Sequence, residues 1–385
     1  PSCTQGTYYL ASAADEVYLV PQGDLDFRGL QAEMMFLKGL FDKLGIEMQF
    51  IRGSNNRFKS YGETFILKEM SPENERQMSE LIGGLWDQYL TVVGASRNID
   101  KAKLNEVAEK LVVREAKDAV GAGMIDGLKY RDEVITLMKE KMGLDTDEDL
   151  RLLSSAKYAR ASMPVNAGEK AVSTYNKPKL AVVYAQGDIN SGESEEGSIG
   201  STTIAEALRQ AREDSTVKAI VFRVNSPGGS GLASDVIWRE VTLAKAVKPV
   251  VVSMGDLAAS GGYYISCAAD RIYAQPNTIT GSIGVFGIIP NMKGFFNDKL
   301  GITFDGVKTN TYADMLTTSR PLNADEKAIF QGYVDKFYET FKSRVAEGRK
   351  LPIARVDSIG QGRVWTGTRA KEIGLVDEIG GLEAA

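Results

Sequence analysis

The run Gly6-Thr7-Tyr8-Tyr9-Leu10-Ala11-Ser12 returns 255 residues later as Gly261-Gly262-Tyr263-Tyr264-Ile265-Ser266-Cys267. The likeness continues as Ala13-Ala14-Asp15-Glu16-Val17-Tyr18 against Ala268-Ala269-Asp270-Arg271-Ile272-Tyr273. Further on, Gly123-Met124-Ile125-Asp126 matches Gly374-Leu375-Val376-Asp377 at an offset of 251. A nearly constant offset held over such a length is the mark of a duplicated domain. Whatever this chain folds into, it must therefore build twice. The first copy is read as 1–153 and the second as 180–385. The stretch 154–179, rich in Ala, Ser, Pro, Asn and Lys without clear periodicity, is read as the linker. The first copy opens at the equivalent of Ala259, so roughly 80 residues that precede this point in the second copy have no counterpart. The front of copy one, with any membrane anchor or export signal, is expected to lie outside this chain.

Within the second copy, short apolar runs alternate with helical patterns. Leu180 to Ala185, Ala219 to Val224, Val250 to Met254 and Arg271 to Ala274 are predicted strands. Thr203 to Arg212 and Ser234 to Ala246 are predicted helices between them. A longer amphipathic helix is predicted over Ala324 to Glu347, with its counterpart over Glu73 to Ala95. Strands alternating with helices indicate βαβ units, hence an α/β fold with a largely parallel sheet in each copy and additional helices.

Composition narrows the function. Hydrophobic residues make up 43% and charged residues 25%, as in ordinary globular proteins. A net charge of −5 with no basic block argues against nucleic-acid partners. The two cysteines, Cys3 and Cys267, form no CxxC and there is no histidine, so a zinc site is not expected, and no cofactor is implied. Both thiols are read as buried or half-buried, a disulfide between them remaining open. No run approaches the ~20 apolar residues of a membrane span. The opening residues lack the charged and apolar regions of a signal peptide.

The lack of histidine gives weight to Ala258-Ala259-Ser260-Gly261-Gly262. A serine between small residues after an apolar strand has the form of an activated nucleophile on a strand-to-helix turn, although such serines also serve as helix caps. Most serine hydrolases activate the hydroxyl with an imidazole; without one the base must be Lys, Asp, Glu or Tyr. Asn225-Ser226-Pro227-Gly228-Gly229-Ser230 follows a strand, and its glycines let backbone N–H groups face inward as oxyanion donors. The Gly261 N–H, one residue past Ser260, is the natural second donor. A third motif is Thr280-Gly281-Ser282-Ile283-Gly284. Alone, the Pro227-Gly228-Gly229 run reads more readily as an ordinary strand-to-helix turn, the Ser260 turn as a helix cap, and the third motif as a glycine-rich turn with a packing serine.

In this order and spacing the three motifs resemble those of the signal peptide peptidase SppA family of serine peptidases (S49), within the ClpP/crotonase superfamily. The resemblance covers essentially the whole chain, including the tandem repeat of the long bacterial form. It implies tandem ClpP/crotonase-like domains, with Ser260 as nucleophile, Gly229 and Gly261 at the oxyanion positions and Ser282 bonded to a catalytic lysine. That lysine comes from the first copy in the long form, where Arg57-Phe58-Lys59-Ser60 matches the lysine segment; Lys59 is the candidate. The repeat offers a check. Copy one has Gln5 in place of Ser260 and Phe27 in place of Ser282, whereas copy two has about Ala313 where the lysine would stand. Each copy holds what the other lacks. The resemblance further implies acyl-enzyme cleavage of signal peptide remnants and other unfolded apolar peptides. It also implies a homo-tetramer with sites facing an interior bowl, and attachment to a bacterial inner membrane with the catalytic part in the periplasm. Two rivals stand beside it. One is a crotonase-type acyl-CoA enzyme, for which the densest carboxylates are Glu193, Glu195 and Glu196. The other is a non-catalytic scaffold.

Overall fold

Three runs of alternating or continuous β-branched and apolar residues, Lys179–Gln186, Val217–Ser226 and Val250–Ala259, are successive neighbours in a seven-stranded sheet, the first of them at its edge. The computed structural model describes residues 2–145, 148–154, 157–158 and 178–385. The linker expected at 154–179 therefore lies largely outside the described residues. By the density of its internal contacts the chain divides into two units, Pro1–Gln31 with Leu85–Asn176, and Ala32–Gly84 with Lys177–Ala385. This division does not follow the order of the repeat. Residues of the first copy, Ala32–Gly84, belong to the unit that holds the second. One cause is a β-ladder: the strand Glu47–Arg52 pairs antiparallel with Phe286–Asn291 over six residues.

In the larger unit the first three strands run parallel, Ala181 opposite Ile220 and Val221 opposite Val251. The Val250–Ala259 strand carries two further neighbours. Its first half pairs with Arg271–Ala274, and its second half with Ile279–Gly281. Between Met254 and Ala258 the register shifts, which lets one strand serve two partners and aims its C-terminal end away from the rest. Helices Ser201–Glu213 and Gly231–Lys245 cover the sheet through Ile204, Leu208, Ile237, Trp238 and Val241, all buried. Ser230 caps the second of these by accepting a hydrogen bond from the Ala233 N–H. The Ala324–Arg349 helix begins with a capping box between Asn323 and Glu326 and buries Tyr338, Phe341 and Val345. The predicted strands and helices are all present, most of them a few residues longer than the apolar pattern, with Arg271–Ala274 matching its predicted bounds. Most of the pairings are parallel, as the alternation implies.

The smaller unit has its own core of Tyr8, Phe27, Leu90, Val93, Leu104 and Met124. Its strands are short, Ser2–Cys3 parallel to Asp24–Leu25 and Tyr18–Leu19 parallel to Gly127–Leu128. No helix among the described residues is long and apolar enough to cross a membrane. Both cysteines are free thiols, Cys3 half-buried and Cys267 buried.

Candidate active site

The C-terminal end of the Val250–Ala259 strand turns sharply into the helix Gly261–Ser266, and Ser260 is the turn residue. Its backbone sits at φ 54° and ψ −119°, a conformation that L-residues adopt only when the surroundings enforce it. Two bonds do so. The Ser260 N–H donates to Gly281 O at 2.9 Å, and its carbonyl accepts from the Tyr264 N–H at 2.9 Å. The hydroxyl is half-exposed and borders two cavities.

Gly228 and Gly229 lie against this turn with positive φ at both positions. A Cβ on Gly228 would stand 2.5 Å from Gly261 N and 2.9 Å from Ser260 Cβ. One on Gly229 would stand 2.2 Å from Ile189 O. The contact is backbone to backbone, and only glycine permits it. The Gly229 and Gly261 N–H groups donate to nothing among the described residues. They are the two donors singled out from the sequence, and both line the cavity that borders Ser260.

Lys59 enters from the loop after the Glu47–Arg52 strand. Its Nζ lies 3.0 Å from Ser260 Oγ, 2.9 Å from Ser282 Oγ and 3.2 Å from the Ser282 carbonyl. The Phe286 ring centroid is 5.7 Å from the same nitrogen. The residue is 5% exposed. Burial pushes its pKa from 10.5 down to about 7, with no neighbouring charge contributing. Ser282 also has positive φ, 49°, held by its N–H donating to Arg363 O at 2.7 Å. Its hydroxyl lies 3.4 Å from the Gly362 carbonyl.

The larger cavity, about 580 Å³, holds Lys59, Ser260 and Ser282 in a wall that includes Phe58, Met78, Leu81 and Ile279. The second, about 360 Å³, is walled by Tyr264, Tyr333, Val334, Phe337 and Phe341. Glu193, Glu195 and Glu196 are exposed and line neither cavity. Asp188 is the carboxylate that does reach the wall of the larger one. The structure thus brings together all five residues that the sequence singled out and leaves the glutamate loop apart. Sequence reasoning missed Gly362, where a Cβ would stand 2.5 Å from Lys59 Cβ, and Gln77, described below. The Gly360-Gln361-Gly362 run was the available signal for the first.

A desolvated amine in contact with a serine hydroxyl, beside two unpaired backbone donors, is the arrangement of a nucleophilic hydrolase without histidine. The family model described as peptidase family S49 matches residues 2–145 and again 242–385. "Protease 4" of Haemophilus influenzae is 38% identical over 99% of this chain and 62% of its own length. "Serine protease SPPA, chloroplastic" of Arabidopsis thaliana is 34% identical over 100% of this chain and 56% of its own. Among solved structures, a mutant of ClpP1 from Listeria monocytogenes superposes with a TM-score of 0.36 at 18% identity, over 53% of this chain and 92% of that one. The chain belongs to peptidase family S49. It spans about three fifths of the length of the relatives it matches, 62% and 56%.

Proposed function

We propose that this protein is a serine endopeptidase that works through a Ser–Lys dyad, with Lys59 as base and Ser260 as nucleophile. The observation that carries the reading is the 3.0 Å approach of a buried, desolvated Lys59 Nζ to Ser260 Oγ. Counting protons gives the direction of transfer. A neutral amine has two N–H bonds and one lone pair. The Ser282 carbonyl can only accept, and Ser282 Oγ accepts when its own proton is turned toward the Gly362 carbonyl. Those two acceptors use both N–H bonds. The lone pair is left facing Ser260, whose O–H donates to it.

Ser260 Oγ attacks the peptide carbonyl carbon as its proton passes to Lys59. The carbonyl oxygen becomes an oxyanion held by the Gly229 and Gly261 N–H groups. Collapse breaks the C–N bond, and the Lys59 ammonium returns the proton to the leaving amine. Water, deprotonated by the again neutral lysine, attacks the acyl carbon; the bond to Ser260 Oγ breaks and the Lys59 ammonium returns the proton to Oγ. The apolar walls of both cavities support unfolded apolar peptides as substrates, signal peptide remnants among them. By its family the protein is further proposed to act as a homo-tetramer at a membrane through a segment outside this chain. The compartment is part of that proposal, since one matched relative is described as chloroplastic.

The test is hydrolysis of a fluorogenic apolar peptide from about pH 6 to 10, the span over which a buried lysine titrates. The rate should rise with a midpoint near the Lys59 value of about 7. Ser260→Ala should abolish it, and Lys59→Met should cut it about a thousandfold. A fully active Lys59→Met would sink the dyad.

A further inference from the structure

Four groups hold the backbone around Lys59, and one of them comes from a side chain with no part in the chemistry above. Gln77 lies on the inner face of the Pro72–Arg97 helix and is 4% exposed. Its Nε2 donates to the Phe58 carbonyl at 3.1 Å and to Ser60 Oγ at 2.8 Å, the residues on either side of Lys59. Its Oε1 lies 3.5 Å from the Val364 N–H. A third acceptor, Asn74 Oδ1 at 3.1 Å, shares the two amide protons. The other supports are main-chain: Phe58 N–H to Gln361 O at 3.0 Å, Lys59 N–H to Asn56 O at 3.1 Å, and the close approach of Gly362 beneath Lys59 Cβ.

We propose that Gln77 is a positioning residue for Lys59, clamping the chain on both sides of the lysine and so setting the reach of Nζ to Ser260. The inference rests on the Ser–Lys reading above. A lysine side chain is long and free to rotate, so the placing of its Cα decides whether Nζ meets the hydroxyl. Misplacement by about 1 Å can cost about a hundredfold in rate. A single planar amide that bonds residues before and after Lys59 fixes that Cα against sliding and rotation together. Charged side chains on the neighbouring elements include Arg57, Glu63 buried beside Arg52, Glu73, Glu75, Arg76 and Glu80 on the Gln77 helix, Arg363, which pairs with Glu80 and stacks over Phe58, and Asp188 in the cavity wall. None of them contributes to the Lys59 shift, so the clamp acts by geometry.

The experiment compares Gln77→Leu and Gln77→Glu with the unchanged chain, by kcat, KM and pH–rate profile on the apolar peptide, with melting temperature alongside. Gln77→Leu should lower kcat about 10- to 100-fold with KM within about twofold. Gln77→Glu keeps the volume and can still accept from Ser60 and Val364, but it cannot donate to the Phe58 carbonyl. It should lose kcat as well, and its added negative charge should move the pH midpoint upward by about half a unit or more. If Gln77→Leu fails to fold, Gln77→Glu reads the clamp. In a Lys59→Met background neither change should lower the residual rate further, which a merely structural loss would not reproduce. A folded Gln77→Glu with unchanged kcat and profile overturns the clamp alone. An active Lys59→Met overturns the dyad and the clamp together.

Discussion

The two units repeat one set of internal bonds and differ where the chemistry lies. In the smaller unit the Tyr8 hydroxyl donates to Met124 O at 2.6 Å; in the larger, Tyr263 donates to Leu375 O at 2.8 Å. Asp126 accepts from the Val17 N–H and pairs with Arg97, while Asp377 accepts from the Ile272 N–H and pairs with Arg349. Tyr18 pairs with Gly127 as Tyr273 pairs with Glu378. Against this common frame, Gln5 stands where the other copy has Ser260. Its side chain accepts from the Arg28 and Gly29 N–H groups and donates to Gly29 O, tying down a loop. Phe27, at the place of Ser282, is 1% exposed and packs between Tyr8 and Trp86. The duplicated fold needs the tyrosine and aspartate bonds in both copies. It needs a strained, half-exposed serine in only one, and in the other it fills the same place with packing and loop closure.

The sharpest way to break this comparison is at the amine. Lys59→Met should cut kcat about a thousandfold, the range expected for loss of a positioned base. The same change should stabilise the protein near pH 7. Burial holds the folded Lys59 at about 7 instead of 10.5, so between those values the unfolded chain binds a proton that the folded chain does not. Stability therefore rises with pH from about 7 to 10.5, and the lysine is most costly at the lower end. Chemical denaturation of both proteins at about pH 7 and pH 10 should show the advantage of methionine shrinking as pH rises. Equal differences at the two values would refute a depressed lysine.

Ser282→Ala removes one of the two acceptors that orient the amine but leaves the carbonyl at 3.2 Å. A fall in kcat of about 10- to 100-fold is expected, with KM little changed, measured on the same peptide. The reverse transplant asks whether the smaller unit has hidden capacity. Gln5→Ser in a Ser260→Ala background should restore no hydrolysis and no labelling by a serine-directed phosphonate. It should also cost about 1–2 kcal/mol of stability through the three lost bonds. Recovered labelling at position 5 would show that the frame alone makes a nucleophile. The smallest effects test the frame itself. Tyr8→Phe and Tyr263→Phe should each cost about 1–2 kcal/mol, by urea denaturation, since each strands a buried carbonyl. A large disparity would mean that the two bonds are alike in geometry only.

Much of this was legible in the residues. The parallel sheet could be read from Ala219 to Val224 and Val250 to Met254, mostly buried strands that need continuous apolar runs, and from Leu180 to Ala185, whose run is as apolar although Leu180, Val182 and Tyr184 are exposed. Ser260, Gly228 and Gly229 could be read because backbone contact leaves only small residues possible. Lys59 could be placed only through the family resemblance. One lysine among 46 basic residues carries no local mark of being desolvated 201 positions from its partner. Gln77 was illegible for the same reason: a glutamine on a helix shows neither what it faces nor that its two protons straddle a lysine. The ladder between Glu47–Arg52 and Phe286–Asn291 was likewise unseen, since a strand from one copy pairing with a strand from the other breaks the order that the repeat suggests.

That ladder, with the Gly362 floor under Lys59, sets a schedule for the chain as it is made. Lys59 is synthesised first, Ser260 follows, and the Gly360–Arg363 turn that completes the site comes last. At ~5–20 residues per second, about 15–60 seconds separate the lysine from its floor. On the proposed reading, an enzyme that cuts unfolded polypeptide would thus stay unarmed until its last turn is made.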